Sequence, residues 1–406
     1  MSEKFPKDWK IKPLGSFIKN IGDGGTPSTS DQSNFGGGIP WIVISDIQRE
    51  IWKTKTTLSE KGLKKSSSKL WKPQTVILST GATIGQVGIA KTKLATKQGI
   101  TGIECDDNLL PEYLYYFLKN NKHLLLSLSQ GSTIEEIRAP TLVKLNVSIP
   151  PLPEQKKIAS ILTSVDDVIE KIQAQINKLQ DLKKAIMNEL LTRGIGHTDF
   201  KDSELGKIPK IWKLYTIGQL GEVVGGGTPT SDNLKYWDGT VMWATPTDIN
   251  KLKGRYIKET VKTLTEEGLR NSSAKLHPIG TILLTSRASI GFPAITLLPM
   301  ATNQGFQSLR PNENLDTEYG YQVLLHNKHN LKRLSAGSTF LEISSKEIKQ
   351  FKLPIPPLSE QKKIASILIS INNLIEKKER QLDKIQSLKK SLLQDLLTGK
   401  IRVAVN

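Results

Sequence analysis

Between Pro153 and Arg193 the chain has neither glycine nor proline, and apolar residues return in alternating steps of four and three: Ile158, Leu162, Val165, Ile169, Ile172, Ile176 and Leu179, then Lys183 with Leu182 beside it, Ile186 and Leu190. That spacing is the coiled-coil signature and predicts one helix of about 40 residues, roughly 60 Å long. The same seam runs through Ile364, Leu368, Ile371, Ile375, Lys378, Leu382, Ile385, Lys389 with Leu388 beside it, Leu392 and Leu396. Lys378, standing where the first seam has Ile172, is a polar seam residue of the kind that fixes register. Pro153 suits a first turn, Ser359 an N-cap, and Gly194 and Gly399 the ends just past the last apolar residues.

Before each seam the texture is mixed. Short apolar runs at Pro40–Ile44, Thr75–Leu78 and Thr281–Leu284 predict strands, and Pro111–Leu118 and Asp316–His326 predict helices, so each globule is mixed α+β. The stretch from Gly194 to Trp212 is polar and reads as connection rather than core. The predicted segments are a first globule over 1–150, a long helix over 151–194, a linker and entry over 195–212, a second globule over 213–356, and a second long helix with its tail over 357–406.

The two halves are copies. Ile149–Leu162 and Ile355–Leu368 agree at 13 of 14 positions, 206 residues apart. Pro6 and Trp9 correspond to Pro209 and Trp212, and Gly24-Gly-Thr-Pro, Trp41 and Asp46 correspond to Gly226-Gly-Thr-Pro, Trp243 and Asp248 at an offset of 202. From Leu63 and Leu269 onward the offset is 206, so the second copy has gained four residues between Asp248 and Gly268, as a surface loop tolerates. A period this long means duplication of a whole domain with its connecting element. Neither helix buries its seam alone, and two equivalent units favour a two-fold arrangement with antiparallel helices and a globule at each end. Such calipers would set two reading heads on one face of a duplex.

Charge narrows the partner. Fifty-seven Lys and Arg against 39 Asp and Glu leave +18, which favours a polyanion. One cysteine, Cys105, excludes an internal disulfide and a multi-cysteine metal site, and it points to the cytoplasm. The start lacks an apolar core segment and no window approaches 18 apolar residues, so neither secretion nor membrane spanning is expected.

The twice-occurring Ile-Pro-Pro-Leu-Pro/Ser-Glu-Gln-Lys-Lys-Ile, the Ser203–Trp212 run and the Gly-Gly-Thr-Pro loops resemble the specificity subunits of type I restriction–modification systems, over essentially the whole chain. The resemblance implies an α+β fold in which two duplicated target recognition domains, joined by two long antiparallel coiled-coil helices with pseudo-two-fold symmetry, each read half of a split, asymmetric site in double-stranded DNA. It also implies docking of two methyltransferase subunits and, through them, restriction subunits. S-adenosylmethionine would sit on the methyltransferase, ATP and Mg²⁺ on the restriction subunit, and no cofactor on this chain.

No catalytic residue and no metal ligand is assigned. Ile-Pro-Pro-Leu lacks the polar residue and the aromatic platform that hold a flipped adenine, and no phosphate-binding Gly-x-x-x-x-Gly-Lys-Ser/Thr occurs. Glu154-Gln-Lys156 and Glu360-Gln-Lys362 have a nuclease-like spacing, but they stand at helix starts. His326 and His329 share a predicted helical face without further ligands. Two other readings stay open: a fused methyltransferase or nuclease, and a protein-binding coiled-coil spacer with no DNA readout.

Comparing the copies separates frame from reader. Thr26, Gln98 and Ser132, with their counterparts Thr228, Gln304 and Ser338, are identical in both and suit backbone turns, phosphate contacts or, for the glutamines, an adenine edge. Differences fit sequence readout better. Ser79-Thr-Gly-Ala-Thr83 becomes Thr285-Ser-Arg-Ala-Ser289, which sets Arg287 opposite Gly81, and Lys97 becomes Asn303. Arginine pairs with guanine, asparagine with adenine, and lysine with guanine or phosphate. Thr83 and Ser289 lie in the same loops, and Lys64 and Lys275 belong to the electrostatic footing, as do Lys53, Lys55, Lys65, Lys251, Lys253 and Arg255. Glu154, Gln155, Lys156 and Lys157, with Glu360, Gln361, Lys362 and Lys363, suit two equivalent methyltransferase docking sites.

Overall fold

The computed structural model describes residues 6–129, 136–335 and 341–404. The two seams form helices Leu152–Thr192 and Leu358–Leu397. Pro153 lies in the first turn as expected. Ser359 does not cap: the carbonyl of Pro357 already accepts from the backbone N–H groups of Glu360 and Gln361, so the helix begins one residue earlier. Gly194 and Gly399 end the helices at φ of +71° and +70°, a left-handed conformation that favours glycine.

The chain forms two compact units, one made of the residues up to Ala174 with those from Arg380 onward, the other of Gln175–Glu379. Each unit therefore joins a globule to the start of its own helix and the end of the other helix, so the compact bodies cut across the segments read from sequence.

In the first unit a five-stranded sheet runs in the order Ile18–Asp23, Ile100–Cys105, Val76–Ser79, Val87–Ala90, Glu50–Ile51, antiparallel except for the last pair. A second sheet pairs Phe35–Ile42 with Thr56–Leu58 and Leu94–Thr96, and Leu94–Thr96 with Leu70–Trp71. Lys10–Pro13 pairs with Asn146–Ile149 and brings the globule's two ends together at the helix start. The core holds Tyr113, Tyr116 and Leu118 of the helix Pro111–Asn120 against Ile158 and Leu162 of the first long helix and Leu396 and Leu397 of the second. Asp166 contacts Lys389 and Glu154 contacts Arg402, so numbers rise along one helix as they fall along the other: within this unit the two segments are antiparallel.

The second unit repeats the plan. Its five-stranded sheet orders Gly221–Gly225, Gln307–Pro311, Ile282–Leu284, Pro293–Thr296 and Tyr256–Ile257, and Trp237–Ala244 pairs with Lys262–Leu264 and Met300–Thr302. Ile364 and Leu368 pack with Met187 and Leu191, again antiparallel. The four-residue insertion is local: the short 3-10 turn Ile44–Asp46 of the first copy becomes the α-helix Pro246–Lys251 in the second.

The segment read as a linker is a correction. Phe200–Ser203 and Gly206–Pro209 form an antiparallel hairpin, and Ile208 and Trp212 are core residues. Their apolar side chains are few and widely spaced among polar neighbours, which hid them in the composition.

Candidate nucleic-acid interface

In both units the Gly-Gly-Thr-Pro loop is pressed against two other loops. Gly24 donates its N–H to Ile100 O at 2.9 Å and Gly25 to Thr96 O at 2.9 Å, while the Trp41 indole donates to Gly25 O at 3.2 Å. A Cβ at Gly24 would lie 2.2 Å from Lys97 O, and one at Gly25 2.3 Å from Ser68 N, so both positions require glycine for close approach. The loop after Val76–Ser79 joins them: Thr80 and Gly81 both donate to Gly99 O, at 2.8 and 3.0 Å. Four segments thus converge, at residues 24–28, 66–69, 79–84 and 96–99.

The second unit builds the same frame. Gly227 donates to Thr302 O at 2.9 Å, the Trp243 indole to Gly227 O at 2.9 Å, and Ser286 to Gly305 O at 2.8 Å. A Cβ at Gly226 would meet Asn303 O, and one at Gly227 would meet Ala274 N.

On the first frame Lys97 is exposed, with its ammonium 5.8 Å from the Trp41 ring centroid, and Gln98 and Thr83 are exposed. Thr26 is half-buried, and Lys64 is exposed in the helix Glu60–Lys64. The second frame is more heavily bonded. The Thr228 hydroxyl is hydrogen-bonded to the Gln304 side-chain oxygen, and the Asn303 side-chain oxygen accepts from Gly305 N at 2.9 Å. Arg287 is half-exposed and uses Nε to pair with Glu342 at 2.8 Å, while the Ser289 hydroxyl accepts from the Asn250 amide at 2.8 Å. Lys275 is exposed. Ser132 and Ser338 lie outside the described residues.

Two contributors escaped the sequence reading. Asn250 belongs to the inserted helix and reaches the 285–290 loop, so the four-residue insertion was the signal for it. Glu342 holds Arg287 from a segment 55 residues away, a pairing no local pattern announces.

The motif at each helix start is spent inside its own unit. Glu154 is 2% exposed and accepts from Trp9 Nε1 at 3.2 Å and from Arg402 at 2.7 and 2.8 Å. Gln155, fully buried, accepts from Leu110 N at 2.8 Å and donates to Asn108 O and Pro150 O. Glu360 likewise accepts from Trp212 Nε1 at 3.2 Å and Ile195 N at 3.0 Å and contacts His197 Nε2 at 2.8 Å, while Gln361 accepts from Asp316 N and donates to Asn314 O and Pro356 O. These four side chains fasten helix to globule and are not free to meet a partner. Lys156, Lys157, Lys362 and Lys363 are exposed.

The helix holding His326 ends there and a new one begins at Lys328, so His326 and His329 do not share a helix. Among the described residues no group of three or more His, Cys, Asp or Glu is placed to hold a metal ion, and no helix is long and apolar enough to cross a membrane.

The sequence profile described as "Type I restriction modification DNA specificity domain" matches residues 6–181 and again 209–387. The MjaIX specificity subunit of Methanocaldococcus jannaschii is 40% identical over 186 residues, 45% of this chain and 43% of that protein. The putative type I restriction enzyme MjaX specificity subunit of the same organism is 28% identical over 98% of this chain and 95% of its own length. Among solved structures, the S subunit of a type I restriction–modification system from M. genitalium superposes with a TM-score of 0.61 at 17% identity, covering 98% of this chain and 97% of that one.

Proposed function

Because this chain belongs to the type I restriction–modification DNA specificity family, we propose that its two four-loop faces read the two halves of one bipartite, asymmetric site in double-stranded DNA. The chain is a specificity subunit and not an enzyme. It works with methyltransferase and restriction subunits on DNA. The finer assignments are ours: two methyltransferase subunits per chain, S-adenosylmethionine on those subunits, ATP and Mg²⁺ on the restriction subunits, and action in the cytoplasm on host DNA.

The observation that carries the reading is a shared frame with unlike side chains. Backbone bonds through Gly99 and Gly305 tie equivalent loops together in the two units, yet the side chains those loops carry differ, buried Gly81 against exposed Arg287 and exposed Lys97 against half-buried Asn303. A common frame with exchanged side chains is what two heads reading different short sequences need. Arg287, with Nε bonded to Glu342, keeps its two terminal nitrogens for the forked contact to a guanine edge or a phosphate. Asn303 keeps its amide N–H₂ as donor, Gln98 and Gln304 border the same loops, and Thr26, Thr228, Thr83 and Ser289 supply short hydroxyls. Lys64 and Lys275 neutralise phosphate at the edges.

The test is to co-express the chain with its methyltransferase subunit and map every modified adenine in the host DNA. The expected result is a single split motif modified in both halves, with Arg287→Ala and Asn303→Ala together relaxing one half only. Each lost bidentate contact should lower discrimination by roughly 1–3 kcal/mol. Methylation that does not depend on this chain overturns the assignment.

A further inference from the structure

A fifth segment reaches the four-loop face of the first unit. Ile137 donates its N–H to Thr80 O at 2.8 Å, and Ala139 donates at 3.5 Å to the Asp23 carboxylate, whose other oxygen accepts from the Thr101 hydroxyl at 2.6 Å. Ile137 is 1% exposed and belongs to the core. The backbone is extended at Arg138, so alternation turns the neighbours of Ile137 away from that core. Glu136 is half-buried and Arg138 exposed.

The second unit has the same segment with different partners. Ile343 is buried and donates to Ser286 O at 3.1 Å, and Glu342 meets Arg287 through both backbone and side chain. There the arginine stands in the 285–290 loop and position 344 is serine. In the first unit the loop position is Gly81 and the arginine stands at 138. The arginine has changed places, and Gly81 offers Glu136 no cation. Among the described residues neither the Glu136 carboxylate nor the Arg138 guanidinium has a hydrogen-bond or ion-pair partner.

A free carboxylate on a face that meets a polyanion is repelled by phosphate, so it is tolerated there only where a base edge supplies a donor. In the major groove guanine and thymine present acceptors to it, and adenine sets the N7 acceptor beside its N6 amino group. Cytosine alone presents its N4 amino donor with no acceptor on the same base. We propose that Glu136 is a specificity-determining residue of the half-site read by the first unit, accepting from the N4 amino group of one cytosine, while Arg138 grips a neighbouring phosphate. This rests on the reading above that the four-loop faces meet DNA. Glu342, bound to Arg287, is a positioning residue and reads no base. One shared glutamate thus has two tasks, set by where the arginine stands.

The experiment uses the chain co-expressed with its methyltransferase subunit, read by adenine mapping and by competition binding with duplexes that vary one base pair at a time. The unsubstituted complex should require a C·G pair in the half-site that Arg287→Ala with Asn303→Ala leaves unchanged. Glu136→Gln keeps the shape and adds a donor, so the preference at that base pair should move to A·T. Discrimination there should shift roughly ten- to a hundred-fold, with the other half-site untouched. Gly81→Arg should abolish the preference by capturing the carboxylate, as Arg287 captures Glu342. The tightest contact of a Cβ at Gly81 would be Gly99 Cα at 3.1 Å, and the equivalent loop of the second unit carries a side chain at that position. Arg138→Gln should weaken every duplex alike. A half-site without cytosine overturns the proposal, as does Glu136→Gln that leaves the motif as it was or tightens every duplex equally, the mark of a carboxylate that only repels phosphate. Either result leaves the split motif, and so the DNA reading, in place. An unsubstituted complex with no sequence preference in either half sinks the DNA reading itself.

Discussion

Trp71 and its counterpart His277 show how one position can differ between two copies of one fold. Trp71 is buried, donates to Thr96 Oγ1 at 3.1 Å, and lies over Gly102, where a Cβ would come within 2.2 Å of the indole. In the second copy Trp becomes His277 and Gly becomes Ser308, a smaller ring over a larger neighbour. The exchange changes polarity: among the described residues neither ring nitrogen of His277 has a hydrogen-bond partner, nor do the hydroxyls of Ser308 and Thr302. Burial, with Arg310 adding repulsion, lowers the His277 pKa from 6.5 to about 4. An unfolded chain binds a proton there below 6.5 that the folded one refuses, so this contribution is whole above pH 6.5 and is lost as pH falls toward 4. Each pH unit in that window should remove about 1.4 kcal/mol from the second unit. His277→Trp with Ser308→Gly should abolish that part of the pH dependence of thermal unfolding. His277→Trp alone should destabilise, because the indole meets the Ser308 Cβ. Additive effects of the two substitutions would contradict the packing argument.

At the scale of elements, the two helix pairs share a seam lysine but treat it differently. Lys389 pairs with buried Asp166, which also accepts from the Tyr116 hydroxyl at 2.9 Å, and nearby Arg49 ties the globule to Asp167 at 2.6 Å. In the second unit Asn372 and Asn373 replace the two aspartates, Arg255 turns back to Glu318 at 2.9 Å, and Lys183 lines a cavity of about 490 Å³ with Glu376 and Glu379. Burial pushes the Lys183 pKa down despite those carboxylates. Lys389→Leu should therefore cost about 3–5 kcal/mol by stranding Asp166, while Lys183→Leu should be neutral or stabilising. Separate denaturant titrations of the two variants decide it, and equal losses would refute the asymmetry. The seams themselves were legible because a heptad is a local pattern. What the Glu-Gln pair does was not: 13 identical positions of 14 mark a shared role, but only the tertiary contacts of Trp9, Arg402, Leu110 and their counterparts show it to be internal fastening. The hairpin Phe200–Pro209 escaped for a related reason, since its strands pair over a polar sequence and bury little beyond Ile208 and Trp212.

On the scale of the molecule, duplication was the most legible property, and it located the differing loop residues without showing that four loops share one surface. Backbone bonds from Gly24, Gly25, Thr80 and Gly81 make that surface, across up to 76 residues of sequence between Gly24 and Ile100. The surplus of +18 then sets how the surface should bind. Lysines that meet phosphate release condensed counterions, so the logarithm of affinity should fall linearly with that of salt concentration, by about 0.9 per phosphate neutralised. Lysine and asparagine variants separate footing from code. Lys64→Gln and Lys275→Gln should each weaken every duplex alike and flatten the slope by about 1, whereas Asn303→Ala should leave the slope unchanged and lose selectivity at a single base pair. Anisotropy titrations of the assembled complex on matched and scrambled duplexes, between about 50 and 200 mM salt, measure both quantities at once. Binding that ignored salt and sequence would instead fit a protein-binding spacer, because a surface without phosphate contacts has no counterions to release.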